Sequence, residues 1–576
     1  MAQHKSFGVF VKGLRKKRRI SLQVFGDGLC DVSHLSRIEN GKVGATKLLR
    51  DRLLGRLGIA TENYEKFLYN REYKCWKERQ DIIYSILYGK IEKARVLLEN
   101  YQTKHSYEMR QPLEYQFYLT MLAQIRQCEG ASKEELRELI QKAVTLTVPE
   151  PITRQIKSRV LSIEELNLLL EYGFYNEEEV SLEWYKEFVS YVEQLPLEEL
   201  ALSRIYPKAV YYLYRVWRNE GNIGKIEAGK MLKFCEKAIE ILQKSNRMFY
   251  LWEILEIEKQ LLQELIGKNE IKNEVATKQL QELYQRCNDW HEVLTEVYEE
   301  YGISKEMKEY CYIYLGKEVY CIGDVIKVRR NTLGMTMREL SEGICTERTI
   351  SRLENNAIEL PWEAVSLLFE RLNITMRFYR SDLPVESLED TQLIRCNELV
   401  DGYNKKVCDE QALDNASYIK MLKEVLEYTI PYRRVITSGE KYLTKSEWVC
   451  LKNIVKWMDW TYPEMEQCVQ ILYDLFERQK QVEDCFNKYE FIMGTVGSKL
   501  GDKGEYELSD KIQIKILKNS LMNRRFGNIH EEIYSLMWND VQRKKEQYPQ
   551  KRDINVEKEL KKCIKFCEMS GNEHQI

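Results

Sequence analysis

Apolar residues recur three and four positions apart through most of this 576-residue chain, the spacing of amphipathic helices rather than of strands. The stretches YSILYGKIEKARVLLENY (84–101) and KMLKFCEKAIEILQ (230–243) are examples. Ten prolines and 28 glycines leave few interruptions, so long helices are the natural outcome. The fold class expected is all-α. At this length one core is too few, and the chain should divide into several domains.

Two regions depart from the long-helix pattern in the same way. Residues 8–59 align without a gap on residues 323–374, and roughly a quarter of the positions are identical. The identities include Lys12/Lys327, Arg15/Arg330, Gly28/Gly343 and Cys30/Cys345. The run Ser36-Arg37-x-Glu39-Asn40 recurs as Ser351-Arg352-x-Glu354-Asn355. Each copy predicts short helices. The first carries Phe10, Val11 and Leu14, or Val325 and Ile326. Ser21 and Thr336 stand where a second helix needs an N-cap, and Thr336-x-x-Glu339 is a capping box. That helix buries Phe25 or Leu340 and stops at Gly28 or Gly343. Asp31 or Thr346 caps a third helix, whose Leu35 and Ile38, or Ile350 and Leu353, face inward. Its opposite face then projects Ser33 and Arg37, or Arg348 and Arg352.

The strings GLCDVSHLSRIENGK and GICTERTISRLENN carry a resemblance to the turn and recognition helix of the Xre/Cro helix-turn-helix family. In that family the recognition helix enters the major groove of double-stranded DNA. The resemblance implies that Val32, Ser33, Ser36 and Arg37 read bases in the first copy, with Arg37 suited to guanine. In the second copy it implies contacts from Glu347, Arg348, Ser351 and Arg352. It also implies structural ion pairs, Arg15–Glu39 and Arg330–Glu354, that hold each module together.

Charge separates the copies. Residues 8–59 hold twelve Lys/Arg and four Asp/Glu, a net of +8, whereas 323–374 hold seven and eight, a net of −1. Phosphate neutralisation supplies much of the affinity for DNA, so the first copy is the better suited. Its Lys12, Lys16, Lys17, Arg18 and Arg19 are expected on phosphates. In the second, Glu347, Glu359 and Glu363 would lie near the DNA backbone, which leaves packing or dimerisation as its other role.

The remaining chain resembles helical-hairpin repeats of the tetratricopeptide kind. Tyr84-x4-Gly89-x4-Ala94 looks like a repeat junction, as does Gly504-x4-Ser509. Gly89, Gly130, Gly173 and Gly221 recur at intervals longer than the regular period of such repeats. Arrays of this kind bind peptides or protein segments on a concave face. Asn404, Asn453, Asn487 and Asn519 are available to clamp a peptide backbone. The expected domains are 1–62 (helix-turn-helix), 63–318 (helical repeats), 319–380 (second helix-turn-helix) and 381–576 (C-terminal helical repeats).

An Xre-type module followed by such repeats resembles the cytoplasmic peptide-responsive regulators of Gram-positive bacteria, the Rgg–PlcR–PrgX type. The resemblance implies a bacterial transcriptional regulator that binds its operator as a homodimer and senses a short signal peptide or a protein partner. The second module departs from that pattern: a chain with two modules could cover two half-sites alone, but the unequal charges of the copies favour a homodimer that uses the two basic ones. The alternative is an interaction scaffold whose modules no longer touch DNA.

Other classes find little support. The chain has no phosphate-cradling glycine loop, no HExxH and no nucleophile elbow, and His4, His34, His105, His291, His530 and His574 are widely spread. No enzyme activity or cofactor is expected. The fifteen cysteines include no CxxC pair, and Cys563, Cys567 and His574 fall short of the four ligands a metal site needs. No apolar run is long enough to span a membrane. The N-terminus places its charges after its apolar stretch, the reverse of a secretory signal.

Overall fold

The computed structural model describes residues 7–59, 67–151, 155–219, 225–267, 274–316, 319–372, 485–545 and 555–571, with a few isolated positions between 374 and 477. The described residues are mostly helical. The chain opens with a bundle of α1 (Phe7–Lys17), α2 (Leu22–Gly26), α3 (Val32–Glu39) and α4 (Lys47–Arg56). Side chains of Ser21, Asp31 and Thr46 cap α2, α3 and α4 by accepting from the backbone N–H three residues on. Each cap satisfies a donor that the first helical turn leaves open and contributes about 1 kcal/mol. Val11, Phe25, Leu35, Leu53 and Leu57 form the bundle's core.

Ten longer helices follow: α5 (Asn70–Leu87), α6 (Ile91–Lys104), α7 (Pro112–Cys128), α8 (Lys133–Thr145), α9 (Ile163–Tyr175), α10 (Leu182–Gln194), α11 (Glu199–Asn219), α12 (Lys225–Lys244), α13 (Leu251–Gly267) and α14 (Glu274–Glu300). Successive helices pack in pairs. Gly89 and Gly130 make the turns of α5–α6 and α7–α8 with left-handed φ of 65° and 83°, and Ala94 on α6 is fully buried. Gly173 differs from the expected glycine series: it lies inside α9 rather than at a turn. A Cβ there would stand 2.8 Å from the Tyr185 hydroxyl of α10, so this glycine serves close helix packing. Gly221 lies outside the described residues.

The second bundle comprises α15 (Ile322–Thr332), α16 (Met337–Ser341), α17 (Glu347–Glu354) and α18 (Trp362–Arg371). Each of its helices begins and ends at the positions that the sequence alignment pairs with the ends of its counterpart in the first. Phe7 and Lys17 of α1 thus match Ile322 and Thr332 of α15, and Val32 and Glu39 of α3 match Glu347 and Glu354 of α17. The capping box at Thr336 and Glu339 is formed. A short strand after the first bundle, β1 (Phe67–Leu68), pairs in parallel with one just before the second, β2 (Tyr320–Cys321). Phe67 joins the second bundle's core and meets Phe369 edge-on at 4.8 Å.

Four described helices close the chain: α19 (Cys485–Asp502), α20 (Tyr506–Met522), α21 (Ile529–Lys545) and α22 (Val556–Ser570). Gly504 turns α19 into α20 with φ 84°, and Ser509 is fully buried at the position expected for a small residue. These helices share one apolar core with the first array, through Leu517, Phe526, Ile533 and Phe566. The regions expected as separate domains at 63–318 and 381–576 therefore meet in a common interior. Asn519 is buried and donates to Glu490 at 2.6 Å, so it faces no groove. Asn404, Asn453 and the Asn487 side chain lie outside what the structure describes. Among the described residues no helix is long and apolar enough to cross a membrane.

Candidate nucleic-acid interface

The third helix of the first bundle buries Leu35 and Ile38 and turns its other side outward. Val32, Ser33 and Arg37 are placed on that side, with Val32 and Ser33 exposed and Ser36 beside them. Asp31 accepts from the His34 N–H at 2.7 Å, which fixes the helix start and with it the direction of Val32 and Ser33. At the other end the Asn40 side chain donates to the Ser36 carbonyl at 2.8 Å and accepts from Lys12 at 2.6 Å.

Arg15 ties this helix to the first. Its guanidinium bonds both Glu39 carboxylate oxygens, at 2.6 and 2.8 Å, and a third N–H reaches the Ile20 carbonyl at 2.6 Å. One residue thus fixes the third helix, the end of α1 with Lys16 and Lys17, and the turn after it with Arg19. The hydrogen bonds to Glu39 hold the Arg15 pKa above its ordinary value, against the opposing effect of burial. Arg330 repeats the pattern: it bonds Glu354 at 2.6 and 2.9 Å and the Met335 carbonyl at 2.9 Å. On α17, Glu347 and Arg348 are exposed at the helix start, with Ser351 and Arg352 one turn on.

Glycine permits a further shared contact. A Cβ on Gly8 would lie 1.9 Å from the Ile38 carbonyl oxygen, and one on Gly323 2.3 Å from that of Leu353. Identity of these glycines in the alignment of the two modules was the available sequence signal. Their role depends on a contact with the far end of the third helix, which no local pattern announces.

The +8 charge of residues 8–59 is partly turned inward. Arg50 pairs with Glu72 at 2.8 Å, Arg56 with Glu165 at 2.6 Å, and Lys47 with Asp51 at 2.5 Å. Arg52 donates to Gln116 at 2.8 Å and lies 3.7 Å from Glu165. Arg18 also stands apart from its neighbours. It is half-buried next to Gly58, and burial lowers its pKa while Glu198 opposes that shift. The cations left toward solvent include Lys16, Lys17, Arg19, Arg37 and Lys42, with the half-buried Lys12 close by. They cluster around the ends of α1 and α3.

The array grips the first bundle from behind. Arg56 donates to the Phe25 carbonyl at the end of α2 at 2.9 Å and, across the interface, to both Glu165 oxygens at 3.0 and 2.6 Å. Burial works against ionisation of Glu165, but Arg56 and Arg52 outweigh it and hold its pKa below the usual carboxylate range. Gly28 has φ +74°, and a Cβ there would stand 2.1 Å from the Thr147 carbonyl oxygen. The corresponding Gly343, also left-handed, has open space. Arg371, which corresponds to Arg56, bonds the Leu340 carbonyl at 2.9 Å and that of Glu342 at 2.7 Å within its own module.

A cleft of about 920 Å³ separates the two bundles. The first bundle lines it with residues between Gly41 and Leu48, the second with Glu359, Trp362, Glu363 and Ser366, and the start of the array with His105 and Glu114. Glu359 and Glu363 therefore face this cleft. Tyr69, between them and the first bundle, donates to the Leu360 carbonyl, and burial together with Glu359 pushes its pKa up to about 12.

Among the described residues no group of three or more His, Cys, Asp or Glu side chains is placed to hold a metal ion. Cys563 and Cys567 are buried on α22, and burial pushes the Cys563 thiol up to about 12. His574 lies outside the described residues. No protein-family model, no curated protein and no solved structure matches the chain.

Proposed function

We propose that this protein is a sequence-specific DNA-binding transcriptional regulator of the helix-turn-helix kind, and that its first bundle reads the operator. The observation that carries this reading is the outward face of α3. Ser33 and Arg37 project together from a helix whose start, end and tilt are each fixed by a side-chain bond. A rigid helix with outward polar groups and flanking cations suits a major groove. Lys16, Lys17 and Arg19 supply the phosphate contacts, and Lys42 extends them beyond α3.

The reading includes an effector of peptide size, and the cleft between the bundles is a better-supported site for it than the concave face expected of the helical repeats. Its volume lies in the range of ligand sites, and its walls mix Trp362 and Phe67 with charged groups of both signs. A molecule held there would contact both bundles and so bias their spacing. The scaffold alternative predicts no salt-sensitive affinity for DNA. Selection of bound duplexes from a random pool, followed by titration at several salt concentrations, tests the reading.

A further inference from the structure

The geometry points to a dimer folded into a single polypeptide: one copy of this chain reads a two-half-site operator, a task for which repressors of this kind normally use two copies. This inference rests on the DNA-binding reading of α3 and says how that site is deployed.

The duplication extends beyond the two bundles. Helices α13 and α21 begin at Leu251 and Ile529, and the helices before them, α12 and α20, end at Lys244 and Met522. Both pairs of helix ends, Lys244/Met522 and Leu251/Ile529, share one offset in the numbering. Burial follows the same offset, as at Cys235 and Gln513, Ile239 and Leu517, Leu251 and Ile529, and Leu255 and Ile533. This offset is shorter than the one between the bundles by about the length of one helical hairpin of a repeat array.

The contacts between these two sets are those of a two-fold interface. Arg247 and Arg525, equivalent at the same offset, form an antiparallel bridge with each other. The Met248 N–H donates to the Arg524 carbonyl at 2.7 Å in the same place. The following helices, α14 and α22, pack antiparallel: Asp289 meets Lys565 at 3.5 Å and Glu296 meets Lys558 at 2.6 Å. A residue that meets its own equivalent, with equivalent helices crossing antiparallel, is the signature of an isologous contact. Simple continuation of a solenoid gives a different pattern, because each repeat then contacts only its neighbours in order.

The bundles follow the same rule. Across the cleft the first presents Gly44, Lys47 and Leu48, and the second presents Glu359, Trp362 and Glu363, which are the aligned equivalents of those three positions. Equivalent faces of the two bundles thus already face each other inside one chain, so a single copy carries both halves of the two-fold arrangement. Because α3 and α17 present different side chains, the operator has two unlike half-sites: one is read through Ser33 and Arg37, the other through Arg348 and Arg352.

The test uses the full chain and duplexes of about 40 base pairs selected from a random pool, room for half-sites one helical turn apart. The mass of the complex and its footprint are measured. The expected result is one chain per duplex, protection of two unlike half-sites, and loss of about 5- to 150-fold in affinity for Arg352→Ala, with relaxed preference in one half-site only. Two chains on two identical half-sites, with Arg352→Ala silent, would overturn the inference and leave the DNA-binding reading intact. Absence of any salt-sensitive binding would overturn both.

Discussion

Arg56 and Glu165, far apart in the chain, meet in a buried two-point ion pair, 2.6 Å at its shorter contact. Arg56 also holds the end of α2, so this pair clamps the first bundle to the array. Glu165→Gln leaves Arg56 without its carboxylate in a buried site, a loss of roughly 3–5 kcal/mol at pH 7. The Glu165 pKa is depressed in the folded protein. Its stabilisation is therefore present above the unfolded value of about 4.3 and is lost as pH falls through the lower folded value. Urea unfolding at pH 7 and at pH 3 checks both parts: the gap between wild type and variant should narrow at the lower pH.

Gly28 and Gly343 share a left-handed backbone, but only Gly28 faces the Thr147 carbonyl. Alanine at either position is strained by its φ, at roughly 1 kcal/mol. Gly28→Ala adds a backbone clash across the interface between bundle and array. Thermal melts should show a clearly larger loss for Gly28→Ala than for Gly343→Ala, and equal losses would contradict the interface.

Glu258 on α13 is buried beside Cys287, and burial pushes its pKa up to about 7. A carboxylic acid whose folded value exceeds its unfolded one holds a proton in the native state. Its contribution is fully present below about pH 4.3 and is lost as pH rises through about 7. Glu258→Gln should accordingly raise the melting temperature at pH 8 and have little effect at pH 5. A variant less stable than wild type at pH 8 would refute the assignment.

Much of each bundle was legible in the sequence because its determinants are local. The caps Ser21, Asp31, Thr336 and Thr346 lie next to the helices they start, and the spacing of Leu35 and Ile38 identifies the buried face directly. Long-range pairing was not legible. Nothing near Arg56 announces Glu165, so net charge overstated what the first bundle offers to DNA. The array duplication was hidden because equivalent buried positions changed chemistry, as from Cys235 to Gln513. A glycine period also misled at Gly173, where the missing side chain makes room for Tyr185 rather than for a turn.

Charge orientation gives a salt-dependent prediction. Lys16→Ala, Lys17→Ala and Arg19→Ala should each reduce the slope of log affinity against log salt by about 1. Arg18→Ala, which removes a half-buried cation beside Glu198, should leave the slope unchanged. Fluorescence anisotropy over a salt series distinguishes the two groups.

Arg37 lies on the outward side of α3, away from the buried Leu35 and Ile38, so its replacement by alanine should leave the fold intact. The most direct measurement is the affinity of wild type and Arg37→Ala for the selected operator and for each single-base variant of it. The expected outcome is a loss of about 1–3 kcal/mol with discrimination relaxed at one base pair and an unchanged melting temperature. Unaltered affinity and unaltered preference at every base pair would contradict the reading of α3 as the helix that recognises DNA.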